Sequence, residues 1–183
     1  GAVVRGEEPL IVRVERASTI RQILQYAQAT RLKLVILGGG EAWEVARDLA
    51  QANVPVIVDT EANLPGSFSD LGATLKNAAR LDAAGVTVIF QPQGNDVSHY
   101  ARTLTQIAGN AVANGMRWDH ALAAITRNPA AAWGIAGSYG TLEPGKDADM
   151  MLTQGSGPNH GNPQGIHSQS ILITRSGRKP LHG

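Results

Sequence analysis

No cysteine occurs anywhere in the 183 residues. That absence excludes disulfides, thiolate zinc centres and a cysteine nucleophile. Aromatic residues are also scarce, at 4%, so aliphatic side chains and alanine must fill the core. No run approaches the ~18 consecutive apolar residues of a membrane-spanning helix, and Gly1-Ala2-Val3-Val4 does not read as a signal peptide. Charge of one sign is lacking too. The net charge is +1 with no basic block, whereas nucleic-acid binding needs clustered Lys and Arg. The sequence therefore predicts neither a nucleic-acid nor a membrane partner. What remains is 43% hydrophobic and 17% charged, a globular balance long enough for one domain of ordinary size.

Apolar runs and amphipathic stretches alternate along the chain. Leu10-Ile11-Val12-Arg13-Val14 predicts a first strand, and Ser18 a cap for the helix that carries Ile20, Ile23, Leu24 and Ala27 on one face. Leu34–Leu37 predicts a second strand, followed by Gly38-Gly39-Gly40 and a helix from about Glu41 to Ala52. Val54–Val58 predicts a third strand, and residues 59–70 a polar loop. A helix over about 71–84 with Leu75, Ala78 and Leu81 inward leads to a fourth strand at Val86–Phe90. Further helices are expected over about 99–114 and 118–127, with stops at Gly85 and Gly115. Strands this apolar are buried on both faces, which implies a parallel, helix-covered α/β sheet. Periodicity alone leaves open whether this is a four-stranded open sheet or half of an eight-stranded barrel.

Chemistry-bearing residues cluster after the strands. Asp96 and His99 stand three apart in the loop after the fourth strand. They read either as a proton-transfer pair or, more simply, as the start of the next helix. Asp59 and Glu61 after the third strand read as pocket groups or as a solvated loop, the latter being favoured. Gly38–Gly40 resembles a phosphate cradle only weakly, because it lacks the Lys-Ser/Thr of a P-loop. Trp43, Trp118 and Trp133 are expected to pack between helices.

One stretch is more specific. A helix, then Thr126-Arg127-Asn128-Pro129-Ala130, is followed by Gly140-Thr141-Leu142-Glu143-Pro144-Gly145-Lys146-Asp147-Ala148-Asp149 and an apolar strand at Met150–Leu152. Pro144 and Gly145 suit the centre of a tight turn. This combination resembles the C-terminal region of the amidohydrolase superfamily. The variety it is most similar to is imidazolonepropionase-like and prolidase-like, where a pattern like Arg16-Ala17-Ser18-Thr19-Ile20 follows the fifth barrel strand. The resemblance implies the C-terminal half of a (β/α)8 TIM barrel, strands five to eight, over residues 1–138. It further implies the C-terminal strands of a small β-sandwich over 139–183, including a last strand at Ser170–Thr174.

The family hydrolyses C–N bonds with divalent metals such as zinc, held at the C-terminal ends of the strands. Carried over by position, the strand-five histidine falls on Arg13, or on Glu15 in a shifted register. The strand-six histidine falls near Gly38 and the strand-eight aspartate near Gln93. The family's first His-x-His pair is expected upstream of Gly1. Arg13 is permanently cationic, Gly38 has no side chain and Gln93 is a poor base, so the expectation is a degenerate metal site with no metal ligands and no assigned cofactor. Any small-molecule pocket is then expected to use Arg13, Glu15, Asp59 and Gln93 for binding and Asp96 and His99 for proton transfer, with Arg13 anchoring a carboxylate. The alternatives are a catalytically inactive partner of an active paralogue, or a self-contained α/β binding module. Half a barrel would also need its missing N-terminal half, or another chain, as a partner.

Overall fold

The computed structural model describes residues 2–3, 5–61, 72–92, 103–154 and 169–176. Its centre is a parallel sheet, in the order β1 (Leu10–Val14), β2 (Leu34–Gly38), β3 (Val56–Val58) and β4 (Val88–Phe90). α1 (Ala17–Thr30), α2 (Ala46–Gln51) and α3 (Asn77–Ala83) connect successive strands. α4 (Leu104–Ala113), α5 (Trp118–Ile125) and α6 (Arg127–Ala132) follow β4. An antiparallel pair, β5 (Ala148–Gln154) and β6 (Gln169–Ser176), forms a second sheet. The fold is thus the α/β class with a parallel sheet that the apolar strands imply. No helix among the described residues is long and apolar enough to cross a membrane.

Alternation along each strand sorts the side chains into two sets. Val14, Ile36, Val56, Val58, Val88 and Phe90 join Ile20, Leu24, Leu49, Leu81 and Ile107 in the main core against the helices. Val35, Ile57 and Ile89 form a separate small cluster on the other face, with Leu37 and Ala132 packed beside it. Full burial of one such Val, Leu or Ile side chain contributes about 1.5–3 kcal/mol, so the main core fixes the strand register.

Helix ends explain the chain's turns. Leu32 N–H bonds to Ala27 C=O, Val54 to Leu49, Val86 to Leu81, Met116 to Ala111 and Ile135 to Ala130, one six-residue closure in each case. This closure needs a left-handed residue just before the donor. Gly85, Gly115 and Gly134 supply it, but Arg31 and Asn53 adopt it at φ 57° and 52° without being glycine.

Several local expectations are corrected. Ser18 does not cap α1, which starts at Ala17 behind Arg16 with no side-chain cap of its own. The Glu41 carboxylate, 24 residues away, accepts the Ala17 N–H at 3.0 Å and serves the helix N-terminus instead. The helix after the glycines opens as a 3-10 turn, Ala42–Val45. α3 starts six residues later than expected, and Leu75, before it, is exposed rather than inward. The expected helix over 118–127 is α5, ending at Ile125, and an unexpected helix, α6, follows Thr126. Trp43 does pack, donating its indole N–H to Gly72 C=O at 2.9 Å with the Arg80 guanidinium over its ring. Trp118 and Trp133 remain 43% and 45% exposed.

Candidate functional site

Strand register places Arg13, Leu37, Ile57 and Ile89 side by side on the face opposite the main core. Towards the C-terminal ends of the strands, the same alternation brings up Glu15, Asp59 and Gln91. Apolar residues close the middle of this face, and charged or polar residues stand at its rim. Arg13 is exposed, whereas Ile57 and Ile89 are buried.

The β2 end is built around Glu15. Gly38 and Gly39 have φ of +95° and +65°, which turn the chain sharply out of the strand. Gly39 N–H donates to Val14 C=O at 2.7 Å, and Glu41 N–H to Glu15 C=O at 2.9 Å. Gly40 N–H donates to Glu15 Oε2 at 2.9 Å. A carboxylate therefore already holds the turn, and the amides that a phosphate would need are engaged. A Cβ added at Gly38 would collide with the Glu15 carboxylate, whose Cδ would lie 2.8 Å away. From the other side, Asn77 Nδ2 donates to Gly39 C=O at 2.9 Å, and Asn77 is fully buried.

The remaining expected site residues divide clearly. Asp59 is 8% exposed, not part of a solvated loop, and its Oδ1 accepts the Glu61 N–H at 2.8 Å in a tight turn. Beside it, the buried Thr60 hydroxyl donates to Ile107 C=O at 2.9 Å. Gln93, Asp96 and His99 lie outside the described residues. Gln91 was missed by the sequence reading, although strand parity from Ile89 points to it. Among the described residues no three His, Cys, Asp or Glu side chains converge in a way that could hold a metal ion. Arg13 would repel a metal at the rim, and Glu15 is turned onto a backbone amide. Among the described residues, those at this rim do not fit a metal.

Two further features carried little sequence signal. His120 Nδ1 and Asp82 Oδ1 approach to 2.7 Å, joining α5 to α3. An apolar groove of about 530 Å³ opens between the end of β4, the start of α4, α6 and residues 135–140, with Phe90, Leu104, Pro129, Trp133 and Ile135 among its walls. Motif residues make bonds that hold the fold locally. Asn128 Nδ2 donates to Val88 C=O at 2.8 Å. Lys146 Nζ bonds Thr141 Oγ1 at 2.6 Å and pairs with Glu143 at 3.0 Å. That hydrogen bond from Lys146 holds the Glu143 carboxyl below its ordinary pKa.

Comparison with known proteins places this geometry. The model of a family described as "Amidohydrolase family" matches residues 40–173. The imidazolonepropionase of Maricaulis maris (strain MCS10) is 34% identical over 122 residues, which covers 66% of this chain and 28% of that protein. The imidazolonepropionase of Syntrophobacter fumaroxidans is 33% identical over 113 residues, 61% of this chain and 26% of that protein. This chain thus spans little more than a quarter of the length of the curated relatives it matches. Among solved structures, an amidohydrolase from Thermotoga maritima superposes with a TM-score of 0.77 at 25% identity, covering 97% of this chain and 45% of that one. A zinc-bound adenosine deaminase from Xanthomonas campestris shares the fold with a TM-score of 0.59 at 21% identity, covering 90% of this chain and 44% of that one.

Proposed function

The chain belongs to the amidohydrolase family, and from that premise we propose that β1 to β4 are the fifth to eighth strands of a (β/α)8 barrel. Residues 1–138 then form the half-barrel, and 139–183 contribute strands to a small sandwich domain. The lineage acts on C–N bonds of cyclic-amide or peptide-like molecules, and the imidazolonepropionase relatives favour the cyclic amide. In this copy the metal ligands are replaced, and the strand ends bind a small molecule without a metal in the usual place.

One observation carries this reading. Where the family's ligands would stand, the chain has an exposed Arg13 guanidinium, a Gly38 with no side chain and a Glu15 carboxylate bonded to Gly40. Arg13 is the binding group, because its planar fork matches a ligand carboxylate. Asp59 and Gln91 follow β3 and β4 on the same side of the sheet by strand alternation, and Gln93, Asp96 and His99 are assigned to the same rim from the sequence alone. The donor set also favours a second reading, a catalytically inactive relative that completes or supports an active chain. Its partner is an N-terminal half-barrel or another chain.

The test uses the natural polypeptide that carries these residues. Metal analysis after zinc loading, with a panel of cyclic amides and dipeptides, is expected to show no zinc-dependent turnover. Robust zinc-dependent hydrolysis would reject the metal-free site. Arg13→Ala is expected to abolish binding of any carboxylate ligand the panel reveals, and unchanged affinity would remove Arg13 from that role.

A further inference from the structure

We infer that Glu15 is a clamp whose carboxylate fills the space a side chain at position 38 would need, so that the clamp and such a side chain exclude each other. This rests on the reading of a substituted metal site and deepens it. The ligand position at the end of β2 is filled by protein, not merely stripped of its ligand.

Three observations converge. Glu15 Oε2 accepts the Gly40 N–H at 2.9 Å, a charge-assisted bond to the turn that leaves β2. A Cβ on Gly38 meets the same carboxylate, with Cδ at 2.8 Å and Oε2 at 3.0 Å, and a Cβ on Gly40 would meet Oε2 at 3.3 Å. The backbone of Glu15 also accepts the Glu41 N–H, and Glu41 in turn accepts the Ala17 N–H. The β1 end, the glycine turn and the start of α1 therefore form one closed set of bonds. Moving the carboxylate aside would leave Gly40 N–H without its partner, so a larger residue at 38 meets resistance beyond its own backbone strain. A histidine restored at position 38 alone would meet the left-handed backbone strain, and the Glu15 carboxylate would have to leave Gly40 to make room for it.

A thermodynamic cycle separates the two costs. The positive φ of Gly38 penalises Gly38→Ala in any background, but the steric conflict exists only when Glu15 is present. Gly38→Ala is expected to lower the Tm by ~5 °C more in the Glu15 background than in Glu15→Ala. Equal drops would overturn the clamp. Amide exchange at Gly40 gives an independent reading if Gly38→Ala does not fold. Glu15→Ala is expected to speed that exchange about tenfold, while Glu15→Gln, which keeps an acceptor oxygen, retains most of the protection. Unchanged exchange in Glu15→Ala would overturn the clamp as well. The outcomes also separate the clamp from the reading it rests on. Zinc-dependent turnover with the coupling intact rejects only the metal-free site, and absent coupling in a zinc-inert protein rejects only the clamp.

Discussion

Gly140 and Gly145 sit five residues apart in the motif that carries the family resemblance, with nearly equal φ of +95° and +90°. Their surroundings differ. A Cβ at Gly140 would lie 2.7 Å from Ala130 Cβ and 3.0 Å from Arg127 Cα, while one at Gly145 would meet nothing within 4 Å. Alanine at either position carries the left-handed strain of about 1–3 kcal/mol. Only at Gly140 must the α5–α6 junction also move. Gly140→Ala is therefore expected to destabilise the protein by about 1–2 kcal/mol more than Gly145→Ala, an overpacking increment. Urea unfolding of the two variants measures the difference, and equal losses would mean that the junction yields freely. The same pair shows why a motif read as one unit in sequence has two physical roles, a close contact at Gly140 and a bare turn at Gly145.

At the scale of elements, α6 is tied to the sheet by Asn128, whose amide donates to Val88 C=O on β4. Asn128→Ala leaves that half-buried carbonyl without its donor and is expected to cost about 1–3 kcal/mol. Asn128→Asp should cost more, since a carboxylate oxygen would then face the carbonyl. Urea unfolding that ranks the two variants the other way would show that shape, not the donor, matters there. The sequence announced the strands and most helix stops, because period and glycine are local signals. It missed α6 as a separate helix, because six residues containing Pro129 hold too little periodicity to read. The Glu15 clamp and the Glu41 cap were illegible for another reason. Their partners lie 25 and 24 residues away, and only the strand register brings them together. Asn77, which supports the same turn from 38 residues away, is a third case. The rim was therefore legible as a set of unusual residues after strands, but its bonding was not.

For the whole molecule, the hydrogen-bond directions of the outer strands determine how it behaves in solution. Val56 N–H donates to Thr87 C=O and Gln91 N–H to Val58 C=O. Parallel pairing then turns the peptide groups of Val88 and Phe90 outward from β4. On β1, Leu10 N–H donates to Lys33 C=O and Val14 C=O accepts from Gly39, so the peptide groups of Ile11 and Arg13 point outward. Among the described residues, Asn128 covers the Val88 carbonyl. Two outward edges of a parallel sheet are templates for further strands, and Ile11, 43% exposed, lies beside one of them. Sedimentation velocity of the 183-residue, 19.2 kDa chain is expected to show association that increases with concentration. A polypeptide supplying four more βα units should convert the associated forms into one defined species. A monodisperse monomer at every concentration would instead identify a self-contained four-stranded module and reject the half-barrel. In that case the Arg13 rim would be an open surface of the sheet, and Arg13→Ala would change ligand binding without any dependence on a partner chain.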